Sequence, residues 1–332
     1  MPIPGDRVLS MGTLRTWLPG FALLSAIWGS SFALIKVAVD AGVPPAWVAL
    51  WRCALGAAAL WAILAVRRER LPRDLRAWGH AAVVAVLLNA VPFVLFAFGE
   101  TRISSVRAGV WNATTPLFTM LSAVALLRAE RLGPRQLGGL ALGFGGVLVV
   151  LGVWRDPGSA QIIGSLACLA AAFCYGVGFA YTRRHLTALP HSVTALAALQ
   201  ITCGTAELAL VVPALCGPPR WPGAGAAAAL LALGAVGTGV AYILNLQLVR
   251  TAGPTVASTV TYAIPLWSTT LGALLLAEPV GAHTVIGGLL VITAVALVRA
   301  PAAATAPPDG PSSPTPRRPP PCSRRRSSGS RG

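Results

Sequence analysis

Apolar residues in this chain run in long stretches separated by short polar connectors. A bilayer core about 30 Å thick is crossed by about 20 helical residues. Runs of that length fall at 18–38, 44–66, 78–98, 105–127, 136–154, 162–182, 190–215, 224–248, 254–276 and 282–299. The pattern predicts an all-α integral membrane protein with ten transmembrane helices. Polar and small residues interrupt some of these runs. "AIWGSSF" at 26–32 is the first such place: Gly29 lowers helix propensity, and Ser30 and Ser31 bring hydroxyls that want partners. Such a stretch is either a close contact between helices or a place where something polar is handled.

The two halves of the chain align. "IWGSSFALIK" (27–36) lies over "CYGVGFAYTR" (174–183), pairing Trp28 with Tyr175 and Gly29 with Gly176. "RCALGAAAL" (52–60) lies over "QITCGTAEL" (200–208), "ATTPLF" (113–118) over "YAIPLW" (262–267), and the "GGL" at 138–140 over that at 287–289. The offset stays at 147–149 residues. Each half holds five spans, an odd number, so the second half enters the membrane the other way up. This predicts two inverted five-helix repeats, the architecture that gives many secondary transporters two exchangeable conformations around a midplane site. The expected organisation is a cytoplasmic N-terminal segment (1–17), a first repeat (18–154), a second repeat (162–300) and a basic tail (301–332). The tail, with nine prolines and six arginines, is expected to be disordered, whether resting on anionic lipid or without a role of its own.

Composition supports the membrane reading. The chain is 55% hydrophobic and 11% charged, where a soluble domain carries about 25% charged residues. The net charge of +16 does not form a basic face with interleaved aromatics, so nucleic acid is not an expected partner. Its distribution instead orients the chain. With a cytoplasmic N-terminus, 20 basic residues fall inside and four outside, leaving Lys36 and Arg52 within spans. By the positive-inside rule both termini are cytoplasmic, in a multi-pass protein of the cell membrane. The first run is too long for a cleaved leader and is followed by Lys36, Asp40 and further spans. The six cysteines form no CxxC and read as small buried hydrophobes.

"AIWGSSFALIKVA", Arg52, and the two blocks at 112–152 and 262–292, each running from a proline through a glutamate to a glycine pair, resemble the two EamA repeats of the drug/metabolite transporter superfamily. The resemblance covers roughly residues 18–300. It implies a ten-helix transporter, usually an exporter of amino acids or other small metabolites, with four helices of each half around a central cavity and the fifth packed outside. Substrates in that family are too varied to carry over, and the basic tail is not part of its pattern.

Ionisable groups inside a bilayer are expensive and are functional suspects. Arg52, about a third of the way into the second span, could meet a substrate carboxylate, pair with helix carbonyls or snorkel outward; its repeat partner is the neutral Gln200. Glu207, near the middle of the seventh span, could bind and release a proton if held out of water, or serve as a hydrogen-bonded structural residue. Lys36 is expected to snorkel outward. Glu130 and Glu278 follow the fourth and ninth spans; helix-terminus capping and positioning of the tight loop is the expected role, with a gate as the alternative. Pro92, Pro116 and Pro265 lie within spans. A helical proline frees the carbonyl four residues before it, which for Pro116 and Pro265 belongs to Asn112 and Thr261. Irregular backbone at this depth is tolerated where it is buried in protein or lines a wet cavity. The expected cavity set is Trp28, Asn89, Asn112, Tyr175, Tyr242, Asn245, Thr261 and Tyr262, together with Arg52; interhelical packing is the plainer role for each. Gly139 and Gly143 form a GxxxG suited to packing on a neighbouring helix or on a second subunit of a homodimer.

The leading functional class is a secondary transporter of a small-molecule substrate working by alternating access, with no cofactor or metal required. A P-loop pump needs a GxxxxGK[ST] lysine, and the only lysine is Lys36 in "ALIKVA". An intramembrane enzyme is disfavoured because the four histidines are scattered and neither HExxH nor GxSxG occurs. A scaffold or sensor is the other alternative, disfavoured because no soluble signalling domain is present.

Overall fold

The apolar runs become helices, and no strand occurs among the described residues. The computed structural model describes residues 11–127, 134–151, 158–186 and 189–299. Glu130 and the tail lie outside them. The helices are α1 (Met11–Asp40), α2 (Pro45–Arg67), α3 (Leu75–Ala85), α4 (Val91–Glu100), α5 (Ser105–Asn112), α6 (Thr115–Leu127), α7 (Pro134–Leu151), α8 (Ser159–Tyr181), α9 (Val193–Cys216), α10 (Ala224–Leu231), α11 (Ala241–Leu276) and α12 (Ala282–Arg299). Widened π turns join α3 to α4 (Val86–Ala90), follow α8 (Thr182–Leu186) and join α10 to α11 (Ala232–Val240). Helix starts follow ordinary capping chemistry. Asp74 accepts from Arg76 N, Ser104 from Arg107 N and Ser192 from Ala195 N.

Among the described residues, six stretches are long and apolar enough to cross a membrane: Pro19–Asp40, Pro45–Arg67, Leu75–Glu100, Ser159–Leu186, Val193–Cys216 and Ala224–Leu248. Leu137–Val150, Ala263–Leu276 and Ala282–Ala294 are shorter apolar helices. The fourth expected span is interrupted. Pro116 cannot bond back to Asn112, and the chain passes from α5 to α6 through three-residue turns, Ala113 N to Val110 O and Thr114 N to Trp111 O, both 3.1 Å.

The eighth and ninth expected spans differ more. Residues 241–276 form one continuous helix, with no connector at 249–253. It is not straight. A straight helix would separate Tyr242 from Ile264 by about 33 Å. Yet the Tyr242 ring meets Trp28 on α1, and the next residue, Gly29, faces the Ile264 carbonyl. The helix therefore bends between those two contacts, within an interval that holds Pro254, which cannot bond back to Arg250.

Helix pairing recurs at the repeat offset. α1 packs on α11, and α8 packs on α6. A Cβ on Gly29 would stand 3.3 Å from the Ile264 carbonyl and 3.1 Å from Trp267 Cγ; one on Gly176 would stand 2.6 Å from Phe118 Cβ. Gly29 aligns with Gly176, and Phe118 with Trp267. α2 packs on the 232–240 π segment, and α9 packs on α3 and the 86–90 π segment. A Cβ on Gly56 would meet Thr238 Cγ2 at 2.9 Å, and one on its partner Gly204 would meet Asn89 Cβ at 3.3 Å.

The fifth and tenth expected spans, α7 and α12, pack on each other. A Cβ on Gly287 would stand 2.7 Å from Val150 N and 2.8 Å from the Gly146 carbonyl. Gly143 of the GxxxG faces Leu117 and Ala294 of the same chain. Close approach of backbones through small residues is what holds helices together in lipid. Gly287→Ala is expected to force α7 and α12 apart and destabilise the fold by about 1–3 kcal/mol. Gly138→Ala, at the aligned position where a Cβ meets nothing within 4 Å, should be neutral. Thermal unfolding of the two variants in detergent, compared side by side, checks this.

Candidate functional site

Arg52 sits about a third of the way along α2, 6% exposed. Its Nε donates to Thr238 Oγ1 at 3.0 Å, and its guanidinium carbon lies 3.8 Å from the centroid of the Phe93 ring. Thr238 belongs to the 232–240 π segment, and its hydroxyl is passed on to the Leu233 carbonyl at 3.2 Å. Among the described residues Arg52 has no carboxylate within ion-pair distance, and Nε alone of its nitrogens has a hydrogen-bond partner. A guanidinium carries five donors in a planar fork, so most of its binding capacity is unused.

Asn89, fully buried, joins two halves of a polar network. Gln200 Nε2 donates to Asn89 Oδ1 at 2.7 Å, and Asn89 Nδ2 donates to Tyr242 Oη at 2.6 Å. Tyr242 in turn donates to the Leu88 carbonyl at 3.3 Å. The reason lies in the sequence: Pro92 has no N–H to give Leu88, and the π turn at 86–90 displaces the backbone at the same place. A tyrosine from α11 supplies the missing donor. π turns of this kind concentrate at functional sites.

The two sets of contacts correspond. Arg52 reaches Thr238, and Gln200 reaches Asn89. Arg52 aligns with Gln200 at offset 148, and Asn89 with Thr238 at offset 149. The side chain from each second helix of a half meets the π turn of the opposite half, once with a charge and once without.

Aromatic rings complete the layer. Trp28 meets Tyr242 edge-on with centroids 6.4 Å apart. Tyr175, its aligned partner, packs against Phe96 at 5.7 Å and Phe179 at 6.2 Å. Both tyrosines lie within electrostatic reach of Arg52. Of the residues expected from the sequence, the structure therefore gathers Trp28, Arg52, Asn89, Tyr175 and Tyr242.

The remaining expected residues are placed as follows. Asn112 ends α5 and is buried. Asn245 is half-buried one turn beyond Tyr242. Neither has a hydrogen bond or ring contact to the gathered set among the described residues. Thr261 is buried in α11; the Tyr262 side chain lies outside the described residues. Glu207 is half-buried on α9 near Cys53 and Cys203. Its Oε2 is buried without a partner, and it has no hydrogen bond to the network. Lys36 does not snorkel free: its Nζ is 2.9 Å from Asp40 Oδ1 and donates to the Glu100 carbonyl at 3.0 Å. Glu278 caps a helix as expected, though a distant one. It accepts from Ser105 N (2.9 Å), Ser105 Oγ (2.8 Å) and Val106 N (3.2 Å) at the start of α5.

Sequence reasoning did not include Gln200, Thr238 or Phe93 in the site. Gln200 had a signal, its alignment with Arg52. Thr238 had one as well: it aligns with Asn89. Phe93 had none, since an aromatic in an apolar run is unremarkable until a cation lies over it.

Comparison with known proteins adds an independent line. The model of the EamA-like transporter family matches residues 16–152 and again residues 162–300. A probable amino-acid metabolite efflux pump of Escherichia coli is 30% identical over 162 residues, covering 49% of this chain and 52% of that protein. An S-adenosylmethionine/S-adenosylhomocysteine transporter of Chlamydia muridarum is 36% identical over 131 residues, covering 38% of this chain and 39% of that one. A solved crystal structure superposes with a TM-score of 0.61 over 85% of this chain and 96% of that chain, at 22% identity, which speaks to the fold alone.

Proposed function

Since the chain belongs to the EamA-like transporter family, we propose that it is a secondary transporter that exports amino acids or other small polar metabolites by alternating access. The protein is multi-pass and helical. The proposed topology is ten spans in two inverted five-helix repeats, with both termini cytoplasmic, a reading the arginine distribution favours. Reciprocal contacts at the repeat offset support it: Gly29 and Gly176, Gly56 and Gly204, Arg52 and Gln200 each meet aligned elements of the opposite half.

The observation that carries the reading is Arg52, a buried guanidinium with unused donors and no carboxylate partner among the described residues. A buried charge of this kind is costly without a partner. A substrate carboxylate would supply it through a charge-assisted, bidentate pair. Tyr175 and Tyr242 lie within its electrostatic reach, and Trp28 and the Asn89–Gln200 amides connect to Tyr242; with Asn112, Asn245, Thr261 and Tyr262 they are the proposed members of one cavity. The names of two relatives, a probable amino-acid metabolite efflux pump and an S-adenosylmethionine/S-adenosylhomocysteine transporter, agree with a substrate that carries such a carboxylate.

The test is flux of a panel of radiolabelled amino acids in liposomes containing the purified full chain. Wild-type liposomes are expected to move at least one of them faster than empty liposomes. Esterifying the carboxylate of that compound should abolish the difference. Flux insensitive to esterification would remove Arg52 from substrate binding.

A further inference from the structure

Two glutamates lie near one another, at the ends of α4 and α11, and the structure treats them oppositely. Glu278 receives three hydrogen bonds, two from main-chain N–H groups and one from a hydroxyl. Glu100, the last residue of α4, is 0% exposed, and both of its carboxylate oxygens are buried without any hydrogen-bond partner. The chain's one lysine does not help it. Lys36 holds Asp40 and the Glu100 main-chain carbonyl, leaving the carboxyl group alone.

The packing seals Glu100 from water. Its neighbour Gly99 touches α8 so closely that a Cβ there would stand 2.9 Å from the Gly164 carbonyl, and one on Gly164 would stand 3.0 Å from the Gly99 carbonyl. The charged and titratable groups around Glu100 are Lys36 and Asp40 on α1, Arg52 on α2, Cys168 on α8 and Glu278 after α11. None of them donates a hydrogen bond to its carboxyl. An ionised carboxylate in such a place would lack both water and donors, a cost of several kcal/mol. The neutral acid avoids most of that cost.

Resting on the transporter reading above, we propose that Glu100 is a proton-binding site that couples the cycle to a proton. Glu100 holds a proton in the conformation described. When the outer end of the bundle opens and admits water, the carboxyl is hydrated and ionises, giving its proton to that water. Closing the outer end requires a proton to be taken back. No bond other than the O–H is made or broken, and the proton passes only between the carboxyl and water. Glu278, already supplied with three donors, anchors the start of α5.

Infrared spectra of the full chain in lipid nanodiscs at neutral pH test the assignment without any substrate. A protonated-carboxyl stretch is expected in the wild type, lost in Glu100→Gln, kept in Glu278→Gln, and present but shifted in Glu100→Asp. A wild type with no such stretch overturns the proposal, as does its survival in Glu100→Gln. Its loss in Glu207→Gln instead would move the proton to that residue and overturn the assignment to Glu100. In liposomes, an imposed pH gradient is expected to accelerate wild-type amino-acid flux and to lose that effect in Glu100→Gln. A wild type that moves no amino acid sinks the transport reading, while the infrared result still decides whether Glu100 binds a proton.

Discussion

Arg52→Ala is expected to reduce amino-acid flux about 30- to 1000-fold, the equivalent of about 2–4 kcal/mol for a lost buried pair with a substrate carboxylate. Stability should change far less. Thr238 loses one donor but keeps its own bond to Leu233, and Phe93 loses a cation over its face. Against those losses stands the removal of a buried charge that has no carboxylate partner, which is itself favourable. Arg52→Lys keeps the charge without the planar fork, so it should recover only part of the flux. Flux and thermal unfolding measured on the same preparations decide the point. A fall in unfolding temperature that tracks the loss of flux would make Arg52 structural.

Asn89→Leu is expected to destabilise the protein by about 1–3 kcal/mol. The variant strips the Gln200 amide of its acceptor and leaves Tyr242 only its bond to the Leu88 carbonyl. Gln200→Leu should cost less, because Asn89 retains its bond to Tyr242. The double variant should cost less than the two single changes together, since replacing both partners leaves no orphan between them. Chemical unfolding of the four proteins in one detergent gives the coupling directly. Strict additivity would mean that the 2.7 Å contact between Gln200 and Asn89 contributes nothing.

Both predictions involve residues that stand out in the sequence for the same reason. Arg52, Asn89 and Tyr242 are polar groups in apolar runs, where an unpaired polar atom is costly and so has a purpose. Their partners were harder to read. Gln200 was visible only as the residue aligned with Arg52, and Thr238 only as the residue aligned with Asn89. Glu100 ends an apolar run at a position where most glutamates would face water. Nothing in the local sequence says that α8 closes over it. Pro92 leaves the Leu88 carbonyl free of its helical donor, and the group that fills the place is a tyrosine 154 residues further along the chain.

By itself the sequence determined the all-helical class and the membrane setting, and its two aligned halves resembled the family that the comparison then showed. The first two follow from local hydropathy and the resemblance from spaced motifs, all of which depend on neighbours along the chain. Only the tertiary structure decided that the fourth span breaks ahead of Pro116, that residues 241–276 form one bent helix, and that α7 meets α12 through Gly146 and Gly287. Tertiary packing also decided the pairing of Arg52 with a π turn of the second half and of Gln200 with one of the first, and the sealing of Glu100 without a donor. Each of these is a contact between segments far apart in sequence. The cost of leaving a buried polar group unpaired acts on such contacts, and it is resolved only when helices from both halves come together.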